Sequence, residues 1–187
     1  MKTTLRTAAL TARDGLSIAY RAAAAQTLAQ RGLPFSFPPG SIVAGYAPIQ
    51  SEIDPWPLMQ TLSGQGAQLA LPVIVARDLP LKFRAWSRSD KLQRGPLGIL
   101  EPLSNAAELV PDILLVPLAA FDRSGHRIGY GAGYYDRTLA PLRASKQITA
   151  IGVAFAAQEI PVVSASAHDA RLDLVLTENE TIDFRSS

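Results

Sequence analysis

Residues 112–118 read DILLVPL, a run that is apolar on both faces of an extended chain. A strand whose two faces are both covered by helices shows such a continuous apolar run, whereas a strand with one solvated face alternates between apolar and polar residues. The stretch therefore predicts a central strand in a sheet that has helices on both sides.

Helical patterns and short apolar runs alternate on either side of this strand. Ser17 is a candidate N-cap for a helix that runs through Leu28 and stops at Gly32. The alternation predicts an α/β fold of three layers, with a largely parallel central sheet flanked by helices, in a single domain over residues 1–187. Further helices are expected at 3–13, from Asp54-Pro55 and at 134–142, and further strands at 42–46, 69–75, 148–155 and 172–177, with 81–86 as an antiparallel strand or hairpin arm.

The composition excludes several classes of function. The chain of 187 residues is 48% hydrophobic with a net charge of +2, and its basic residues are scattered, so no basic stripe indicates nucleic acid. It has no cysteine and two histidines, which excludes disulfides, thiolate chemistry and a multi-histidine metal cage. No uncharged apolar run approaches the ~20 residues of a membrane span. We therefore expect neither nucleic-acid nor membrane partners.

The most informative segment is residues 127–137, which read RIGYGAGYYDR. Its glycines alternate with other residues after an apolar strand and a turn, and a helix follows. Glycine permits positive φ and a close approach of the backbone to a ligand, and N–H groups at a helix N-terminus bind phosphate. Asp136 falls in the first helical turn, where a carboxylate is favoured and could hold Mg²⁺ beside phosphates. The alternative interpretation is a glycine-rich surface turn capped by Asp136.

Other known motifs are absent. The segment has G-x-G-x-G spacing rather than the G-x-G-x-x-G of a dinucleotide site, and the chain contains no P-loop and no G-x-S-x-G elbow. Two other places carry carboxylates. Asp169 lies in a loop before the last predicted strand, where a second metal ligand could sit, and Asp173 is either a contributor or a polar strand cap. Glu52 follows the first predicted strand, at the end where such sheets bind ligands.

Taken together, these segments resemble the 5-formyltetrahydrofolate cyclo-ligase family, also called methenyltetrahydrofolate synthetase, from Lys2 to Thr177. The resemblance is carried by KTTLR at 2–6, EID at 52–54, GILEP at 98–102, the glycine segment with its Tyr-Tyr-Asp continuation, and HDARLD at 168–173. It implies ATP binding by Lys2, Arg6, Arg127, Gly129, Tyr130, Gly131, Ala132, Gly133, Tyr134 and Tyr135, folate binding by Glu52, Ala47 and Tyr135, metal ligation by Asp136 and Asp169, and supporting roles for Asp173, Glu101 and Arg137.

The resemblance also implies a reaction. The formyl oxygen of 5-formyltetrahydrofolate would attack the γ-phosphate of ATP with Mg²⁺ as cofactor, and ring closure by N10 would release phosphate and give 5,10-methenyltetrahydrofolate. The expected protein is a cytoplasmic monomer. One departure is Ala132, where many members have Gly or Lys, so Arg127 or Arg137 is expected to supply that charge. A regulatory relative that binds nucleotide or folate without turnover is the alternative, and it would be expected to lose the acids at 136 and 169, which are present.

Overall fold

The computed structural model describes residues 2–185. The helices are α1 (Lys2–Asp14), α2 (Ile18–Arg31), α3 (Trp56–Gly64) and α4 (Tyr134–Ser145), with short 3₁₀ turns at Pro96–Gly98 and Ala156–Gln158. The strands are β1 (Ile42–Ala44), β2 (Gln68–Val73), β3 (Lys82–Ala85), β4 (Leu92–Arg94), β5 (Leu100–Pro102), β6 (Glu108–Leu109), β7 (Ile113–Pro117), β8 (Ala120–Phe121), β9 (Arg127–Ile128), β10 (Thr149–Val153), β11 (Leu174–Leu176) and β12 (Thr181–Asp183).

Eight strands form one sheet in the order β12-β11-β10-β7-β1-β2-β3-β6. The inner strands β2, β1, β7, β10 and β11 are parallel, and β12, β3 and β6 are antiparallel at the edges. The parallel strands therefore follow the doubly wound order 2-1-3-4-5, which reverses direction between β1 and β7. Such a reversal opens a crevice at the carboxyl ends of the strands, where ligands bind in folds of this class.

Helices cover both faces of the sheet, which confirms the predicted three layers. Ile113 and Leu115 of β7 face the layer formed by α2 and α3, whereas Leu114 and Val116 face the layer that contains α4. All four side chains are buried. The DILLVPL run is thus the central covered strand that its composition predicted.

The start of the chain folds as its capping residues predict. Ser17 caps α2 by accepting a hydrogen bond from the Tyr20 amide at 3.1 Å, and Gly32 ends the helix at φ 66°. Ala9 of α1 packs against the small β8–β9 hairpin rather than the large sheet. The segment at 81–86 is the predicted antiparallel strand, β3. Within residues 2–185, no helix is both long and apolar enough to cross a bilayer.

The structure differs from the sequence prediction in detail. β1 ends at Ala44 instead of 46. The next residue must be glycine, because a Cβ on Gly45 would lie 2.2 Å from the Met59 sulfur of α3. Pro55 is the N-cap of α3 rather than its first helical residue. The short strands β4, β5, β6, β8, β9 and β12 were not predicted, because two or three residues show no periodicity.

Candidate active site

A cavity of about 440 Å³ opens at the point where the strand order reverses. Tyr46 and Ala47 enter it directly after β1, and Pro117 enters it from the end of β7. The crevice expected for a doubly wound sheet is therefore present. It is lined by Lys2, Arg6, Tyr46, Ala47, Ile49, Glu52, Pro72, Ile74, Leu81, Leu97, Ile99, Glu101, Pro117, Arg127, Ile128, Gly129, Tyr130, Gly131, Ala132, Gly133, Tyr134, Tyr135, Asp136 and Asp169.

The glycine segment forms the loop between β9 and α4. Gly131 (φ 103°) and Gly133 (φ 69°) occupy conformations that side chains with a Cβ adopt with strain, and Gly133 is the N-cap of α4. Because glycine offers no capping side chain, the first-turn N–H groups of α4 remain open to an anion. Gly129 differs, since its φ is not positive and a Cβ there would meet nothing within 4 Å. The conformational argument made from the sequence therefore holds for two of these three glycines.

The cations and carboxylates that surround this loop are joined in ion pairs. The Lys2 ammonium lies 2.5 Å from an Asp169 oxygen, and Arg127 Nη2 lies 2.9 Å from Asp136 Oδ1. Arg6 donates to the Gly129 carbonyl at 2.7 Å, and its guanidinium lies 3.6 Å from the place where a Cβ on Gly131 would sit. Residues expected to contact phosphate are thus paired with residues expected to contact metal.

The two predicted metal ligands lie beside each other. Asp136 Oδ1 also accepts from the amide of Ala170, the residue after Asp169. Burial acts to raise the pKa of Asp169, but hydrogen bonds from Lys2 and Ser166 outweigh it and lower the pKa. Across residues 2–185, no group of three or more His or acidic side chains gathers to hold a metal by itself. The pair fits Mg²⁺ nevertheless, since that ion is usually held by one or two carboxylates together with substrate phosphates and water.

The other half of the cavity surrounds Glu52. Its carboxylate accepts from the Ile49 amide at 2.8 Å. Burial raises the pKa of Glu52, against smaller opposing effects of the Ile49 amide, the Tyr130 hydroxyl and the Arg13 guanidinium. Burial, and then the Glu52 charge, raise the pKa of Tyr130 and of Tyr135. A half-buried carboxylate among phenols and apolar side chains is suited to accept hydrogen bonds from a polar heterocycle.

The three residues expected to play supporting roles lie in three different environments. Glu101 lines the cavity. Arg137 lies behind the loop, with its guanidinium over the Tyr134 ring and donating to the Ala132 carbonyl. Asp173 lies outside the cavity, where it accepts from the Ala150 amide at 2.7 Å and from Arg143 at 2.9 Å. These contacts favour the strand-cap interpretation of Asp173.

Several cavity residues were not predicted from the sequence. Tyr46 is buried and donates to the Ile53 carbonyl at 2.7 Å. Ile74, Leu81 and Ile99 contribute apolar side chains to the cavity wall. Nothing in the sequence distinguishes these apolar residues from core residues, because the same types fill both places. Arg13, which lies beneath the cavity, carried a signal, since it falls one turn after the buried Ala9 on a face that otherwise packs inward.

The fold and the cavity define an α/β protein of the doubly wound class with a ligand cleft at its switch point. A profile of the 5-formyltetrahydrofolate cyclo-ligase family matches residues 1–178. A protein of Mycolicibacterium smegmatis named 5-formyltetrahydrofolate cyclo-ligase is 36% identical over 97% of this chain and 95% of its own length. The Escherichia coli K12 protein of the same name is 30% identical over 76% of this chain and 80% of its own length.

Solved structures agree with this. The NMR structure of Aquifex aeolicus 5,10-methenyltetrahydrofolate synthetase superposes with a TM-score of 0.81 at 30% identity, covering 100% of this chain and 94% of that one. The corresponding synthetase from Mycoplasma pneumoniae gives a TM-score of 0.71 at 25% identity, covering 98% of both chains. The chain belongs to the 5-formyltetrahydrofolate cyclo-ligase family, a family of enzymes.

Proposed function

We propose that this protein uses ATP and Mg²⁺ to convert 5-formyltetrahydrofolate into 5,10-methenyltetrahydrofolate, with release of ADP and phosphate. The observation that carries the proposal is the continuity of the cavity. The same cleft is lined by the glycine loop with Lys2 and Arg6 and by the carboxylate of Glu52. Two substrates that must exchange a phosphoryl group would therefore meet in one cleft.

The half of the cavity that is lined by the glycine loop suits a nucleoside triphosphate. Open amides at the start of α4 and the positive φ of Gly131 and Gly133 let the backbone approach phosphate oxygens. Lys2, Arg6 and Arg127 would provide positive charge around these phosphates, and Tyr134 and Ala132 complete the wall. Lys2 and Arg127 would exchange their present carboxylate partners for phosphate, and Arg6 would turn from the Gly129 carbonyl, because phosphate is a good acceptor for a charged donor.

Asp136 and Asp169 would hold Mg²⁺ between the loop and the phosphates. The ion would neutralise charge on the β- and γ-phosphates when it is bound. The contribution of the chain is to present two carboxylates that are already oriented. The Ala170 amide holds Asp136 and the Ser166 amide holds Asp169, so both carboxylates keep a backbone partner when Lys2 and Arg127 turn to phosphate.

Glu52 would bind the reduced folate by accepting hydrogen bonds from its amino-pteridine edge. Ala47, buried beside it, and Tyr135 would contact the ring faces. The pteridine would then be held with its N5 formyl group toward the glycine loop. No described residue needs to form a covalent bond with substrate, because orientation and charge stabilisation account for most of the catalysis of phosphoryl transfer.

The bonds balance without a further reactant. The formyl oxygen forms a bond to the γ-phosphorus while the bond to the β-bridging oxygen breaks, and ADP leaves. The phosphorylated oxygen is a good leaving group, so N10 attacks the formyl carbon, and phosphate departs with that oxygen and with the proton that N10 loses. The resulting C–N double bond carries the positive charge of the methenyl product.

We further propose that residues 1–187 form a single domain that acts as a cytoplasmic monomer. The sheet runs across the whole described chain, from β1 near the start to β12 near the end, which supports a single folding unit. No observation favours the non-catalytic alternative, because the carboxylates at 136 and 169 both reach the cavity.

The experiment is a spectrophotometric turnover assay on the purified protein. Methenyltetrahydrofolate absorbs where 5-formyltetrahydrofolate does not, so product accumulation is followed directly. We expect product only when ATP and Mg²⁺ are both supplied. Product without ATP, or none under any condition, would refute the proposal. Size-exclusion chromatography with light scattering checks the monomer.

A further inference from the structure

A buried arginine lies beneath both halves of the cavity and has no role in the reaction as described above. The side chain of Arg13, at the end of α1, is 1% exposed, and it does not line the cavity. Burying a guanidinium is costly unless the surroundings pair it and satisfy its hydrogen bonds. A charge kept at this depth therefore calls for a physical explanation.

Arg13 is attached to both loops of the site. Its Nε donates to the Ser51 hydroxyl at 2.8 Å, and Ser51 immediately precedes Glu52. Its Nη1 donates to the Tyr130 hydroxyl at 2.5 Å, and Tyr130 lies inside the glycine loop. The guanidinium carbon is also 5.8 Å from the centroid of the Tyr130 ring. A planar fork that bonds both loops fixes the position of one relative to the other.

The positive charge of Arg13 is only partly compensated. Within residues 2–185 its one ion-pair partner is Asp14, 3.8 Å from Nε and 60% exposed. Its Nη2 is buried and has no hydrogen-bond partner among these residues. This positive charge acts on Glu52 and on Tyr130. It lowers the pKa of each group, although the larger effect of burial raises both. The same side chain thus influences both loops electrostatically as well as by contact.

We propose that Arg13 is a positioning residue that couples the two halves of the cavity, so that nucleotide bound at the glycine loop strengthens the binding of reduced folate at Glu52. The inference rests on the proposed function, since it concerns the two ligands of that reaction. Phosphates that order the glycine loop would fix Tyr130, which holds Arg13, which in turn holds Ser51 beside Glu52. Coupling of this kind is reciprocal, so folate would strengthen nucleotide binding by the same factor.

The coupling would help to bring the two reacting atoms together. The formyl oxygen and the γ-phosphorus must lie within roughly 3–3.5 Å of each other for attack, and a displacement of 1 Å is costly. Each atom is positioned by a different loop. A single rigid group bonded to both loops sets that separation more reliably than two independent anchors would.

The test is a thermodynamic cycle of two ligands, measured by isothermal titration calorimetry on the purified protein. The affinity for 5-formyltetrahydrofolate is measured alone and with saturating Mg²⁺ and β,γ-imido-ATP, which does not transfer its phosphoryl group. We expect the nucleotide analogue to tighten folate binding in the wild type by about five-fold or more. The reverse titration should give the same factor. In Arg13→Lys, which keeps the charge but loses the fork, the factor should fall to within about two-fold, by the same reasoning.

A second variant guards against failure of Arg13→Lys to fold. Ser51→Ala removes the bonds that tie the Glu52 loop to Arg13 and to Asp14, at the end of the same helix, and leaves the contact of Arg13 with Tyr130, so it should also lose the coupling. Arg31→Lys is the matched control, because Arg31 anchors the end of α2 to the Thr177 and Glu178 carbonyls, at 2.6 and 2.8 Å, away from the cavity. Its coupling factor should equal that of the wild type.

The outcomes separate the possible explanations. Full coupling in Ser51→Ala and in any folded Arg13→Lys protein, even with lower thermal stability, would reduce Arg13 to a structural anchor and overturn the inference. Wild-type protein that binds both ligands independently would overturn it while leaving the proposed function intact. Wild-type protein that binds neither ligand would overturn the inference and the proposed function together.

Discussion

The two halves of the cavity handle charge in opposite ways. In the glycine loop half, each carboxylate has a cationic partner, Lys2 with Asp169 and Arg127 with Asp136. In the other half, the carboxylate of Glu52 has no ion pair among residues 2–185, and burial raises its pKa. The first half is arranged to exchange ionic partners with a highly charged ligand. The second is arranged to bind a neutral, hydrogen-bonding ring, so damage to the two halves should have separable effects.

The largest effect is expected from Gly131→Val. Gly131 has φ 103°, and a side chain there would meet the Arg6 guanidinium. Because the obstacle is steric, ATP binding should be lost at every Mg²⁺ concentration, while 5-formyltetrahydrofolate still binds when titrated alone. Isothermal titration measures both. The control is Gly40→Val, at φ 85° with nothing within 4 Å of a Cβ, which imposes similar backbone strain away from the cavity. Equal ATP affinity in the two variants would contradict the loop assignment.

Asp136→Asn should act more moderately and through the metal. Asparagine is nearly isosteric, so the fold should persist, but the variant should need far more Mg²⁺ and kcat should fall by about 10²–10³-fold. Asp173→Asn is a close control, because Asp173 likewise accepts from an arginine and a backbone amide but lies outside the cavity. It should retain the wild-type Mg²⁺ requirement. A surface turn with a capping Asp predicts instead a loss of about 1 kcal/mol of stability with full activity.

Glu52→Gln should weaken folate binding by roughly ten- to a hundred-fold, as expected when a hydrogen bond to a charged group worth about 1.5–3 kcal/mol is lost. ATP affinity, measured without folate, should not change, since Glu52 lies in the other half of the cavity. Calorimetry on the variant gives both values. Unchanged folate affinity would remove Glu52 from the substrate site.

The smallest effect is a dependence of stability on pH. The pKa of Glu52 is higher in the folded protein than in the unfolded chain. As the pH rises between these two pKa values, the unfolded chain releases its proton while the folded protein keeps it. The folded state therefore loses stability as the pH rises through this range. Glu52→Gln should therefore melt at a higher temperature than wild type at pH 8, and the difference should shrink toward pH 4. Glu108→Gln, on exposed β6, controls for loss of a negative charge. A melting difference independent of pH would refute the burial of this carboxylate.

The sequence predicted the parts of the fold that leave a signature in neighbouring residues. The continuous apolar run of β7 and the Ser17 and Gly32 boundaries of α2 were read correctly, because burial on two faces and helix capping each leave a local signature. The hairpins β4–β5 and β8–β9 were missed. Strands of two or three residues form through their tertiary neighbours rather than their own propensity.

The residues of the candidate site also divide into those that could be predicted from the sequence and those that could not. The glycine loop could be predicted because the positive φ of Gly131 and Gly133 favours glycine, and Asp136 because it follows in the first turn of the next helix. The ion pair between Lys2 and Asp169 was not predictable, since it joins residues 167 positions apart in the chain. The spacing of Arg13 from Ala9 indicated that it faces inward, but the groups that it contacts could not be predicted. Its partners Ser51 and Tyr130 come from two other loops, and only the fold brings them together.

The central claim is that both substrates lie in one cavity with the formyl oxygen against the γ-phosphate. The most direct measurement uses 5-formyltetrahydrofolate labelled with ¹⁸O in the formyl group, turned over with ATP and Mg²⁺ in unlabelled water. Mass spectrometry of the released phosphate should find one ¹⁸O atom per phosphate, matched to the methenyl product formed. Phosphate free of label, with product still accumulating, would show that the formyl oxygen never bonded to phosphorus and would contradict the claim.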